Sequence, residues 1–199
     1  MPARQTKEVF EHLLQLISSE RFLKMEGLGN EIPFFICPFD PKETVAMERI
    51  PQQLTQRLAQ NGVRVLVIDL FDLAIEILQE RGIWQRVLDM EATVPKEQFK
   101  ELLQSVLDPE NHLVPAIANK MKATDFDVLF LTGVGPVYPF IRSHNVLNNL
   151  QRVAKDRPTV LFFPGEYTHS LETGASLDLF GKLRDDRYYR AFNIYDVQV

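Results

Sequence analysis

The sequence predicts an α/β fold in three layers, a mostly parallel sheet of about five strands with helices on both faces. Two observations carry this. Asp127-Val128-Leu129-Phe130-Leu131-Thr132 and Thr159-Val160-Leu161-Phe162-Phe163 are short apolar runs, closed by Gly133-Val134-Gly135 and Pro164-Gly165. Runs rich in β-branched and aromatic residues, this short and ended by glycine, are strands buried on both faces. Between them Phe140 to Lys155 carries a helical period, and Pro139 suits a first helical turn. Strand, helix, strand of this length is a βαβ unit, with parallel strands and a right-handed connection. Its glycine loops then share the carboxyl edge of the sheet, where open α/β folds place their binding sites.

Taken in order, Lys7 to Leu23 puts Phe10, Leu13, Leu14 and Ile17 on one helical face. Met25 to Asn30, with Gly27 and Gly29, precedes a strand instead of following one, so it reads as a helix cap and turn. Pro33 to Phe39 is the first strand. Asp40-Pro41-Lys42-Glu43 then fits a capping box, Asp40 accepting from first-turn amides and Glu43 reaching back. A Walker A loop would lie here too. Cys37 to Thr44 holds a lysine and a threonine but no glycine, so the nest of backbone amides that cradles phosphate cannot form. The fold is therefore expected to be Rossmann-like or P-loop-like without a Walker A loop, and to use no cofactor.

Pro51 breaks the next helical segment near Ile50, and a second helix runs to Asn61, closed by Gly62. Val63 to Leu70 is the second strand, expected in the middle of the sheet. Asp69 and Asp72 follow at the spacing of an N-cap and its third helical residue. A divalent metal or acid–base work could use the same pair, but the helix Leu73 to Arg81 needs the cap. Ile83 to Met90, Pro95 to Leu107 and Asn111 to Lys122 form a helical insert over about 83–123, longer than one crossover requires. His112 has no second histidine or cysteine at ligand spacing, so no metal is expected. Leu171 to Leu183 reads as partly helical, Asp185-Asp186-Arg187 as a solvated turn, and Tyr189 to Ile194 as a last strand at an edge.

With 199 residues and 45% hydrophobic content the chain can bury one sizeable core, so a single domain over 1–199 is expected. A formal charge of −5 offers nucleic acid little phosphate attraction, and direct DNA binding ranks last among the functional readings. Cys37 is the single cysteine and can form no internal disulfide, which suits a reducing compartment. Met1 to Arg21 is no signal peptide and no apolar run reaches spanning length, so the expectation is a cytoplasmic protein without membrane contact.

Two groups of residues are candidates for function. Asp40, Asp69, Gly133, Gly135, Glu166, Tyr167 and His169 belong to the carboxyl edge, and Arg142 could approach it from the helix. Glu166, Tyr167 and His169 put an acid, a phenol and an imidazole together, yet no Gly-x-Ser-x-Gly elbow accompanies them, and loop anchoring is favoured over catalysis. No catalytic residue is assigned. The second group is Arg142, Asn145, Asn149 and Arg152. Their spacings of three, four and three align them on the outward face of the helix, which bears amides and cations but no carboxylate. Such a face can be merely soluble, or it can donate hydrogen bonds to a partner.

Several long pieces carry a resemblance. Gly27-Leu28-Gly29-Asn30-Glu31-Ile32-Pro33-Phe34, Leu107-Asp108-Pro109-Glu110-Asn111-His112-Leu113, Asp127 to Gly135, Tyr138-Pro139-Phe140-Ile141-Arg142-Ser143-His144 and Phe162 to Tyr167 resemble the BrxB family. These are small proteins encoded in bacterial BREX phage-exclusion systems, and the resemblance covers nearly the whole chain. It implies a role in phage defence alongside a DNA methyltransferase, a large ATPase and the phosphatase-like protein PglZ. It supplies no active site to map. The leading expectation is a non-enzymatic adaptor that binds another BREX component, with PglZ preferred on family context. The rival is an enzyme or nucleotide-binding module using the carboxyl edge.

Overall fold

The computed structural model describes residues 6–27, 33–170, 174–185 and 191–198. Its centre is five parallel strands: β1 Phe34–Phe39, β2 Val65–Asp69, β3 Val128–Thr132, β4 Thr159–Ser170 and β7 Phe192–Asn193, in the order β2-β3-β4-β1-β7. Alternate side chains of these strands feed two separate cores. Phe34, Ile36, Leu129, Leu131, Leu161 and Phe163 face one side. Phe35, Cys37, Val128, Phe130, Val160 and Phe162 face the other. Burial on both faces is why the strands read as continuous apolar runs.

The helices sort by crossover. Leaving β1, the chain runs through α3 (Thr44–Met47) and α4 (Ile50–Gln60) to β2 at the far edge, so α4 packs with α1 (Thr6–Ile17) on the second face. It then returns one strand at a time, through α5 (Leu70–Glu80) to β3, and through α9 (Val134–Val137) and α10 (Ser143–Leu150) to β4. Reversing direction while keeping right-handed connections puts these helices on the first face. The insert α6 (Trp84–Glu91), α7 (Lys96–Val106) and α8 (Val114–Ala123) joins them. Val87, Leu103 and Ile117 share one core with Leu129 and Leu161, so the insert covers a sheet face.

Four expectations change. β2 lies at an edge, and Val67 is 41% exposed; strand order depends on non-local pairing, which an apolar run cannot report. The first helix breaks at Ser18-Ser19, because the Ser19 hydroxyl accepts from Phe22 N (3.3 Å) and starts α2 (Glu20–Leu23). The central helix stops at Leu150 and begins at Ser143, leaving Val153 exposed and Arg142 just outside. Finally, β4 does not end at Pro164. It runs on to Ser170 and turns back antiparallel into β5 (Gly174–Leu179) and β6 (Leu183–Asp185), where partial helix was expected. Ala175, Leu177 and Leu179 are buried at every second position of β5, which is strand periodicity. Of the expected turn Asp185-Asp186-Arg187, Asp185 ends β6 and the rest lies outside the described residues, as do the start of the last strand at Tyr189 and Leu28 to Asn30 of the turn begun at Met25.

Candidate functional site

The carboxyl edge is built by local capping. After β1, Asp40 Oδ1 accepts from Lys42 N (2.9 Å), starting a turn at Pro41–Glu43. Glu43 contributes its amide to Asp40 O (2.8 Å). After β2, Asp69 Oδ1 accepts from Phe71 N (2.9 Å) and Asp72 N (3.1 Å) to open α5, and Oδ2 accepts from the Thr132 hydroxyl (2.8 Å). Gly133 must be a glycine here. Its φ is +74°, and a Cβ would stand 2.3 Å from Asp69 Oδ1. At Gly135 a Cβ would meet Phe180 and Pro164 at 3.4 Å, an ordinary van der Waals contact.

In the extension of β4, Gly165 allows the β5 backbone to close in, since a Cβ would lie 2.1 Å from Asp178 O. Tyr167 is 4% exposed and donates from its hydroxyl to Ala191 O (2.7 Å). Glu166 is exposed, and the His169 side chain lies outside the described residues. Burial pushes the Tyr167 phenol up from 10.0 to about 12. The fold therefore favours the neutral phenol. Its contribution is complete below pH 10 and is lost as pH rises through about 12. Urea midpoints should fall more steeply across that window for the wild type than for Tyr167→Phe. The difference should be on the order of 2 kcal/mol, and parallel curves would refute it.

The described ones among these residues fall into two groups. In an open α/β fold the crevice above the switch in strand direction takes the ligand. Here β4 extends through it, and Phe39 and Phe180 divide the space in two. A groove of about 760 Å³ between α4 and the edge of the sheet includes Asp69, Gly133 and Gly135. A second cavity of about 460 Å³ takes Asp40, Glu166 and Tyr167. Arg142 lines neither. Among the described residues the charged groups along the two are Asp40, Glu43, Glu48, Asp69 and Glu166 against Lys42, a balance that repels phosphates. Among the described residues no group of three or more His, Cys, Asp or Glu is placed to hold a metal. None of their helices is long and apolar enough to cross a membrane.

On the helix face, Arg142 is exposed; its carbonyl accepts from Asn145 N (3.0 Å) and Val146 N (3.2 Å), and its side chain bonds no other described residue. Asn149 Nδ2 donates to Asn145 O (2.8 Å) within α10, and Arg152 pairs with Glu110 (2.7 Å) on the surface. Sequence reasoning missed Phe180 and Val67, both exposed at the groove. The alternation Ala175-Ser176-Leu177-Asp178-Leu179 before Phe180-Gly181 was the available signal for the first.

Comparison with known proteins gives this edge a lineage. A family model described as BREX protein BrxB matches residues 66–194. A Bacillus cereus (strain H3081.97) protein named BREX protein BrxB is 36% identical over 197 residues, covering 97% of this chain and 99% of its own. The chain belongs to the BrxB family. An Escherichia coli O9:H4 (strain HS) BrxB is 30% identical over 178 residues, 89% of this chain and 86% of its own. No solved structure matches it. The BrxB family match spans β2 through β7, and so takes in Asp69, Gly133, Gly165 and Phe180.

Proposed function

We propose that the chain is a non-enzymatic adaptor of BREX phage defence, holding another BREX component, with a PglZ-type protein as the expected partner. Membership of the BrxB family supports the setting. The observation that carries the adaptor reading is the use made of the polar side chains at the carboxyl edge. Asp40 and Asp69 hold backbone amides, and Tyr167 holds the Ala191 carbonyl. Groups engaged this way are poor candidates for general acid, base or nucleophile, which must reach a substrate. The excess of carboxylates likewise disfavours nucleotide phosphates at the rival enzyme's natural site.

The face of Arg142, Asn145, Asn149 and Arg152 is the expected contact. The exposed Arg152–Glu110 pair is worth about 0–1 kcal/mol, so a partner's carboxylate can replace Glu110 at little cost. Arginine at such a contact engages carboxylates through paired bonds while its stem packs. Co-expression of the tagged chain with the other BREX components tests the adaptor reading, and recovery of no component defeats it. In the same assay Arg142→Ala with Asn149→Ala should weaken binding about tenfold while melting stays nearly unchanged. A double mutant that melts early points to a structural role for the face. A stable one recovered with its partner at full yield removes the face from the contact.

A further inference from the structure

The groove of about 760 Å³ is the largest unfilled feature of the carboxyl edge, and its walls are mostly apolar: Met47 and Pro51 from the α4 side, Val67 and Phe162 from the sheet, Pro136 and Phe180 above. Among the described residues its charged lining is Glu48 and Asp69, with no lysine or arginine. The groove also opens along β2, whose only strand neighbour among the described residues is β3. Among the described residues nothing pairs with the outer backbone edge of β2, beside a 41% exposed valine. Apolar surface continues past both ends of the groove, at Val45 (70% exposed) next to Thr44 and at Phe71 (41%) two residues after Asp69.

Phe180 stands over this groove at a conformational cost. It is 37% exposed, has φ +56° and is followed by Gly181 at φ +65°. They are the central residues of a turn closed by Lys182 N to Leu179 O (3.2 Å), within the three-residue connection from β5 to β6. Turns with both central residues left-handed favour asparagine then glycine, and a bulky aromatic is out of place in the first position. Its ring meets Tyr138 edge to face at 6.3 Å between centroids and lies where a Cβ on Gly135 would touch it, at 3.4 Å, so it is held over the groove. A strained, exposed aromatic at the mouth of an apolar groove is what a binding anchor looks like.

We propose that this groove docks an extended segment of a partner protein, lying along the open edge of β2, with an apolar side chain in the groove and an adjacent lysine or arginine at Glu48. Charge complementarity selects the occupant: with acids and no bases among the described residues of the lining, an acidic or phosphorylated ligand is repelled and a basic one attracted. Strand addition supplies main-chain hydrogen bonds, and the groove supplies selectivity for the side chain. This rests on the adaptor reading and names the kind of segment that the adaptor grips.

The test uses the full chain co-expressed with the PglZ-type protein and the other BREX components. Phe180→Asn relieves the turn, Val67→Lys adds a cation that edge strands tolerate, and Glu48→Lys reverses an exposed charge. Each should cut the recovered partner at least about tenfold. Phe180→Asn should do so at an equal or higher melting temperature. Wild-type binding should weaken with added salt, and that dependence should flatten in Glu48→Lys. If the wild type recovers no partner, the adaptor reading fails. If the wild type binds and all three variants bind equally well, the groove assignment alone is wrong. Loss of binding only in step with loss of melting temperature overturns it in favour of a structural Phe180. Two further results overturn it: a homodimer that the variants dissociate makes a second copy the occupant, and a small molecule seen by native mass spectrometry only in wild type makes the groove a ligand pocket.

Discussion

Gly133→Ala should lower the unfolding free energy by about 3 kcal/mol. Two costs combine. A non-glycine residue held at φ +74° carries roughly 1–2 kcal/mol of backbone strain. The new Cβ would stand 2.3 Å from Asp69 Oδ1, so the carboxylate must move. Moving it releases the amides of Phe71 and Asp72 at the start of α5 and the Thr132 hydroxyl, and losing a cap costs about 1–2 kcal/mol. For a chain of this size the melting temperature should drop by about 6–12 °C. A double-mutant cycle separates the two parts. On an Asp69→Ala background the cap is already gone, and Gly133→Ala should cost only the strain, about 1–2 kcal/mol. Full additivity would show that Asp69 does not respond to the new methyl. Gly135→Ala, with ordinary van der Waals room and no positive φ, is the control that should stay near wild type.

Gly165→Ala is expected to cost more, on the order of 4 kcal/mol, and to be regional. The atom in the way, Asp178 O, is 2.1 Å from the ideal Cβ and belongs to the backbone of β5. No rotamer change can clear it, so β5 must leave β4. Ala175, Leu177 and Leu179 would leave the core with it. Hydrogen exchange should show protection lost together in the outer half of β4, β5 and β6. The amides of Val160 and Leu161, which lie between β3 and β1, should keep theirs. Uniform loss across the sheet would mean that the hairpin is not a separate cooperative unit. Unchanged stability would mean that the two strands can separate at this point without cost.

How legible these features were depended on range. The caps at Asp40 and Asp69 could be read because a cap is a bond to an amide two or three residues on. β1, β3 and the inner half of β4 could be read because burial on both faces removes polar residues from the run. β5 was missed because its leucines suggested helix, while the alternation with Ser176 and Asp178 was the stronger sign. The edge position of β2 could not be read at all, since it depends on which strand pairs with β3. For the same reason the groove was invisible: Pro51, Val67, Pro136 and Phe180 come from four distant parts of the chain. The rival enzyme reading needs Asp40 and Asp69 in one site, whereas the extension of β4, with Phe39 and Phe180, leaves them lining separate cavities.

The strand order also sets a schedule for synthesis. Phe34 pairs with Thr159, and β1's other neighbour is β7, so both partners of Phe34-Phe35-Ile36-Cys37 are made more than a hundred residues later. At roughly 5–20 residues per second the ribosome needs on the order of ten seconds to deliver them. Throughout that time one of the most apolar strands in the protein has no sheet to join, although α1 and α4 can already shield its Phe35 and Cys37 face. Its Phe34 and Ile36 face waits for helices that have not yet been translated. The nascent chain is therefore most vulnerable to aggregation and proteolysis before β4 emerges, and a stall anywhere between β2 and β4 leaves a product that cannot close its sheet.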